Sequence, residues 1–105
     1  MIPLTSQADA EAFLAEPGPR WLLKHSATCP ISSAALEAVE AHLAAHPLPA
    51  ALVVVQDARP VSNWLAVRLG RVHQSPQLFL LEDGHVRWAA SHWSITAAAM
   101  ATAAS

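Results

Sequence analysis

Cysteine is nearly absent from this chain: Cys29 stands alone among 105 residues. That excludes an internal disulfide, and it excludes a zinc or iron–sulfur centre held by four thiolates of one chain. The lone thiol is then either inert packing or a reactive group. Charge is also scarce, at 13% of residues with a formal net charge of -2. The six lysines and arginines are strewn from Arg20 to Arg87 and form no basic face, which argues against nucleic acid as a partner. No apolar run approaches the ~20 residues that cross a bilayer. The opening MIPLTSQADAEAF lacks the basic start and apolar core of a secretory signal. The expectation is a cytoplasmic chain with no membrane partner. Apolar residues, at 53%, are plentiful enough for a core, and the length suits one domain over residues 1–105.

Ser6 followed by Asp9 resembles a capping box, and Ala10, Phe13 and Leu14 give a short apolar face, so residues 6–15 read as a helix. Pro17, Gly18 and Pro19 break it. Trp21, Leu22 and Leu23 have the length of a buried strand ending near His25. From Pro30 to Ala45 the apolar residues Ile31, Ala35, Val39 and Leu43 recur every fourth position, with Glu37 and Glu40 elsewhere on the helix. Pro47 and Pro49 stop this helix, and Ala51–Val55 reads as a central strand covered on both sides. A third helix is expected over 60–69, from Pro60 to a left-handed Gly70. Leu78–Leu81 and Val86–Ala89, joined at Asp83 and Gly84, predict a hairpin. Ser94 or Thr96 then caps an Ala-rich final helix. The order implies an α/β fold: a mixed sheet of four strands, with Ile2–Leu4 a candidate fifth at an edge, and helices on both faces.

Cys29 falls between a strand end and Pro30, a residue favoured in the first turn of a helix. A sulfur at a helix N-terminus meets unpaired N–H groups and the positive end of the helix dipole, both of which favour the thiolate. Three residues on, where a dithiol oxidoreductase carries its second cysteine, stands Ser32, whose hydroxyl can donate to the sulfur. With no resolving cysteine, a mixed disulfide formed at Cys29 must be released by an external thiol. The alternative is an inert, buried cysteine beside an ordinary first-turn serine. Ser75 and Pro76 precede the penultimate strand; a proline there suggests an edge or a cis bond, with a plain loop as the alternative.

The stretch Lys24, His25, Ser26, Ala27, Thr28, Cys29, Pro30, Ile31, Ser32, Ser33 resembles the active-site segment of the monothiol bacilliredoxins. Further matches are Arg59, Pro60, Val61, Ser62, Asn63, then Ser75, Pro76, Gln77, and finally Ser91, His92, Trp93 with Ile95 and Thr96. The resemblance spans nearly the whole chain and implies a thioredoxin-like fold. It also implies that Cys29 is the nucleophile removing bacillithiol from mixed disulfides on proteins, with Pro76 as the cis-proline facing it and the Ser75 backbone offered to substrate. No bound cofactor is expected; bacillithiol is the co-substrate, and bacillithiolated proteins are the partners of a monomer.

Several neighbours are candidates for supporting roles. Lys24 and His25, just upstream of the thiol, can lower its pKa as positive neighbours, or can simply be solvated. Thr28 is a candidate substrate contact. His92 and Trp93 precede the last helix, whose start can hold the malate carboxylates of bacillithiol. The other reading makes Trp93 a core anchor and His92 a partly buried strand-end residue. Arg59 can pair with a substrate carboxylate. His42 and His46 form a helical pair without a third ligand, so no metal site is expected. Rival functions are a cluster-binding module, in which two chains share an iron–sulfur cluster through Cys29 and a small thiol, and a redox-inert domain that only binds partners. Iron content of protein purified without oxygen distinguishes the first, and slow alkylation of Cys29 the second.

Overall fold

The computed structural model describes residues 1–105. The chain runs β1 (Ile2–Pro3), α1 (Gln7–Ala15), β2 (Pro19–His25), α2 (Pro30–Ala45), β3 (Ala50–Val54), α3 (Arg59–Leu69), β4 (Gln77–Glu82), β5 (His85–Ser91) and α4 (Ala97–Ala104), with a 3-10 turn at His92–Ser94 before α4. The sheet has five strands in the order β1-β3-β2-β4-β5, so the edge strand at the start of the chain is present. β1 and β2 both lie parallel to β3, while β4 is antiparallel to β2 and to β5. Parallel pairs need a crossover, and α2 supplies it between β2 and β3.

Local chemistry explains most boundaries. The Ser6 hydroxyl accepts the Asp9 amide at 3.1 Å, as expected of an N-cap, but the Asp9 carboxylate faces Thr5 and does not close the box on Ser6. Gly70 ends α3 at φ 67°, a left-handed conformation that costs glycine little. Asp83 and Gly84 both have positive φ, 52° and 80°, which is the backbone of a two-residue hairpin turn matched to strand twist. At α4 the two candidates resolve to Thr96, whose hydroxyl accepts the Ala99 amide at 3.1 Å; Ser94 lies in the 3-10 turn.

Side chains alternate across β2 and divide the core in two. Trp21 and Leu23 face α2 and α4 with Ala35, Val39, Leu78, Leu80, Ile95 and Met100. Leu22 faces α1 and α3 with Phe13, Leu14, Val53, Val61, Leu65, Phe79 and Leu81. Trp21 is wholly buried and meets His42 and Trp88 edge-on, with ring centroids 5.9 and 6.0 Å apart. The alternation continues one step further: Lys24 shares the α3 side with Leu22, and its side chain is completely buried. The carboxyl end of β2 delivers the chain to Cys29.

Candidate active site

β2 ends at His25, three residues turn, and Cys29 becomes the N-cap of α2 with an extended backbone (φ -105°, ψ 123°) ahead of Pro30. Pro30 has no N–H to offer, so the first amides available to the sulfur belong to Ile31 and Ser32. These set the thiol's acidity. The Ser32 N–H contributes most and the Ile31 N–H next; partial burial opposes them, and the Ser32 hydroxyl adds a smaller stabilising share, so the pKa falls below its ordinary 9.0. The sulfur belongs to a half-exposed residue, so it is reachable as well as acidic.

Ser32 is fully buried, and its Oγ accepts the Ser26 amide at 3.3 Å. With that acceptor site filled, the hydroxyl proton is free to point at the sulfur. The turn itself is held by Gln56, a residue that sequence reasoning missed. Its Oε1 accepts the Ala27 amide at 3.0 Å, and its Nε2 donates to Ser26 Oγ at 2.7 Å and to Thr28 Oγ1 at 3.3 Å. The one available signal was position: Gln56 lies just past the carboxyl end of a buried parallel strand, where α/β sheets place ligand-facing residues. Thr28, expected to meet substrate, is exposed and takes part in this clamp.

Not every expected neighbour reaches the thiol. Lys24 was expected beside it or in solvent; instead Nζ donates to the Ser62 carbonyl at 3.0 Å and lies 3.4 Å from His73 Nδ1, under α3. Strand alternation sends it to the sheet face opposite α2, and it makes no contribution to the thiol's acidity. His25 makes none either. It is half-buried, and its Nδ1 is buried without a hydrogen-bond partner. Arg59 is the exposed first residue of α3.

The Ser75–Pro76 bond is cis, and Pro76 precedes β4, which pairs with β2 up to Lys24↔Gln77. The Pro76 carbonyl accepts the His92 amide at 3.1 Å, tying the 3-10 turn to the start of β4. The Ser75 hydroxyl oxygen is buried with no partner. His92 is exposed with φ 53°, and Trp93 is 70% exposed, so Trp93 is no core anchor and both side chains are open to a ligand. The His42 and His46 rings lie with centroids 5.1 Å apart, tilted by 36°, and no group of three or more potential metal-binding side chains comes together.

Removing the Ser32 hydroxyl should move the pH midpoint of Cys29 alkylation upward. The loss is of a donor to the thiolate, and the amides that dominate remain. A Ser32→Ala variant titrated with iodoacetamide checks this, and an unchanged or lower midpoint would show that the hydroxyl does not act on the sulfur.

Comparison with known proteins agrees with this geometry. The chain superimposes with a TM-score of 0.94 on a thioredoxin-fold protein described as a candidate oxidoreductase, at 31% identity over 99% of this chain and 93% of that one. Thioredoxin of Fasciola hepatica matches with a TM-score of 0.75 at 18% identity, covering 97% of this chain and 92% of its own. Thioredoxin of Trypanosoma brucei brucei gives 0.82 at 11% identity, over 99% and 87%. The last two establish the thioredoxin fold. The family of the monothiol bacilliredoxin BrxC matches residues 2–100, and the chain belongs to that family.

Proposed function

We propose that the protein is a monothiol thiol–disulfide oxidoreductase that removes bacillithiol from protein mixed disulfides through Cys29, in the cytoplasm and as a monomer with no bound cofactor. The observation that carries this reading is a half-exposed, acidified thiol at the start of α2 with a buried serine, Ser32, three residues on. The Cys29 thiolate attacks the bacillithiol sulfur. One S–S bond forms as another breaks, and the substrate's thiolate departs and takes a proton from water. The two electrons of the old bond leave with that sulfur, so the protein substrate is reduced and Cys29 ends bonded to bacillithiol. Ser32 has no sulfur with which to resolve this species, so an external thiolate attacks it, freeing Cys29 and leaving as a small-molecule disulfide.

The test is intact mass after mixing reduced protein with a bacillithiolated model protein, alongside a glutathionylated one. Appearance of the bacillithiol mass on Cys29, with little of glutathione, is the expected outcome. Transfer from neither substrate would overturn the oxidoreductase reading, and equal transfer from both would overturn the preference for bacillithiol.

A further inference from the structure

Under and beside α3, positive charge gathers with no acid to balance it. The buried Lys24 ammonium donates to the Ser62 carbonyl at 3.0 Å and lies 3.4 Å from His73 Nδ1. The same Nδ1 stands 3.2 Å from Ser62 Oγ. With Nδ1 accepting from the Lys24 ammonium, which can only donate, the histidine proton sits on Nε2, on a half-buried ring. Arg59 is close enough for its charge to act on His73, with Lys24 acting more strongly. Next to these side chains, α3 begins without a side-chain cap: the cap residue is Ala58, and the first intrahelical bond runs from Ser62 N to Ala58 O at 3.0 Å. The protein's ion pair is Arg87–Glu82, on the hairpin, so Lys24, His73 and Arg59 are in none, and neither is Asp57, the acid nearest to Arg59 along the chain. A buried ammonium with no anion is costly, and proteins usually pair or neutralise one.

This cluster lies at the same end of the sheet as the thiol. β2 and β3 run parallel and finish together, with His25 opposite Val54 and the Val55 amide donating to the His25 carbonyl at 2.9 Å. From the ends of these two strands the chain passes on one side to Cys29 and α2, and on the other to Arg59 and α3. Lys24 pairs with Gln77, the residue after Pro76. The thiol and the group of Arg59, His73 and Lys24 therefore lie at one end of the sheet, to either side of where β2 and β3 finish.

We infer that Arg59, His73 and Lys24 form a subsite for the carboxylate of a small acidic thiol carried by the mixed disulfide. The Arg59 fork and the His73 Nε2–H donate to the carboxylate, and the buried Lys24 supplies field without contact. This rests on the exchange reaction proposed above, but not on the thiol being bacillithiol. It places the acid-recognising group beside α3, apart from the start of α4, where the Thr96 hydroxyl already takes the Ala99 amide.

The test uses one uncharged peptide carrying either mercaptosuccinate, with two carboxylates, or thioglycerol, with none, in disulfide linkage. Rate constants for transfer to Cys29 are each divided by the rate of free 2-mercaptoethanol on the same disulfide, which removes intrinsic reactivity. At low ionic strength the mercaptosuccinyl peptide should be favoured about fivefold, a scale set by partly exposed charge-assisted contacts. In Arg59→Gln and His73→Gln variants that ratio should fall toward one, as it should in high salt. A ratio near one in the unmodified protein would overturn the subsite while leaving exchange intact. So would a preference for the mercaptosuccinyl peptide that the Arg59→Gln and His73→Gln variants leave unchanged. No transfer from any disulfide would instead overturn the exchange reaction itself.

Discussion

Replacing Cys29 with serine is expected to abolish thiol transfer, by at least ~10³-fold, because a hydroxyl is neither ionised near neutral pH nor able to form a disulfide. Nothing else in the chain can substitute, since Cys29 is its one sulfhydryl. The fold should be undisturbed: the residue is half-exposed and makes its N-cap contribution through an extended backbone that serine also adopts. A complementary change alters the course of the reaction. Ser32 lies three residues along the same helix start, and its hydroxyl adds a small share to the lowering of the Cys29 pKa. A Ser32→Cys variant should resolve the first mixed disulfide internally, releasing the small thiol and leaving the two cysteines joined. Intact mass separates the cases. The parent protein gains the small thiol's mass, Cys29→Ser gains nothing, and Ser32→Cys ends two hydrogens lighter than its reduced form. A persistent adduct on Ser32→Cys would show that the second position cannot reach the first.

Lys24→Met is expected to make the protein more stable at neutral pH, although it deletes two hydrogen bonds. Burial takes the Lys24 pKa from an ordinary 10.5 down to about 8. Between those values the unfolded chain holds the proton more tightly than the folded one, so this group's contribution makes stability rise as pH increases from about 8 toward 10.5. Below pH 8 the group is charged in both states, and the folded state bears the full cost of burying it. His73 is neutral at this pH, and neither Lys24 nor Arg59 is in an ion pair, so no acid offsets the charge. Methionine fills similar volume without that cost, and the Ser62 carbonyl it abandons stays on a helix. The gain at pH 7 should be roughly 1–3 kcal/mol, on the scale seen when unpaired buried charges are replaced by apolar side chains. Urea unfolding at pH 7 and pH 10 checks both parts. The variant's midpoint should exceed the parent's at pH 7, and the gap should narrow at pH 10. A lower midpoint at pH 7 would mean that the lysine's hydrogen bonds outweigh its desolvation.

The fold was legible in the sequence wherever punctuation and period agreed. Pro30 opening α2 and the four-residue spacing through Leu43 placed the helix that carries the thiol at its observed bounds, Pro30–Ala45. Asp83 and Gly84 located the hairpin turn because its backbone demands residues tolerant of positive φ. At β3 the predicted run was one residue late: the strand is Ala50–Val54, since pairing with Trp21–His25 fixes the ends and apolar content does not. The site was less legible than the fold. Cys29, Pro30 and Ser32 announce themselves because their roles depend on neighbours in the chain. Gln56 lies 29 residues from Ala27 and acts through side-chain bonds across the sheet end, which no local pattern reveals. Lys24 was misplaced because a lysine at a strand end normally reaches water. The alternation Trp21, Leu22, Leu23, Lys24 was the clue that it follows Leu22 inward.

The origin of the thiol's acidity bears on how such a protein can change over evolutionary time. The two largest contributions come from the Ser32 and Ile31 amides, which belong to the main chain. No single substitution short of proline deletes a backbone N–H, so the nucleophile's reactivity is inherited with the helix start and not with any particular side chain. Descendants of this sequence can exchange the residues that ring the sulfur, and with them the choice of thiol and of protein substrate, without first losing the chemistry. Reactivity is thus insulated from mutation, while specificity is left open to selection.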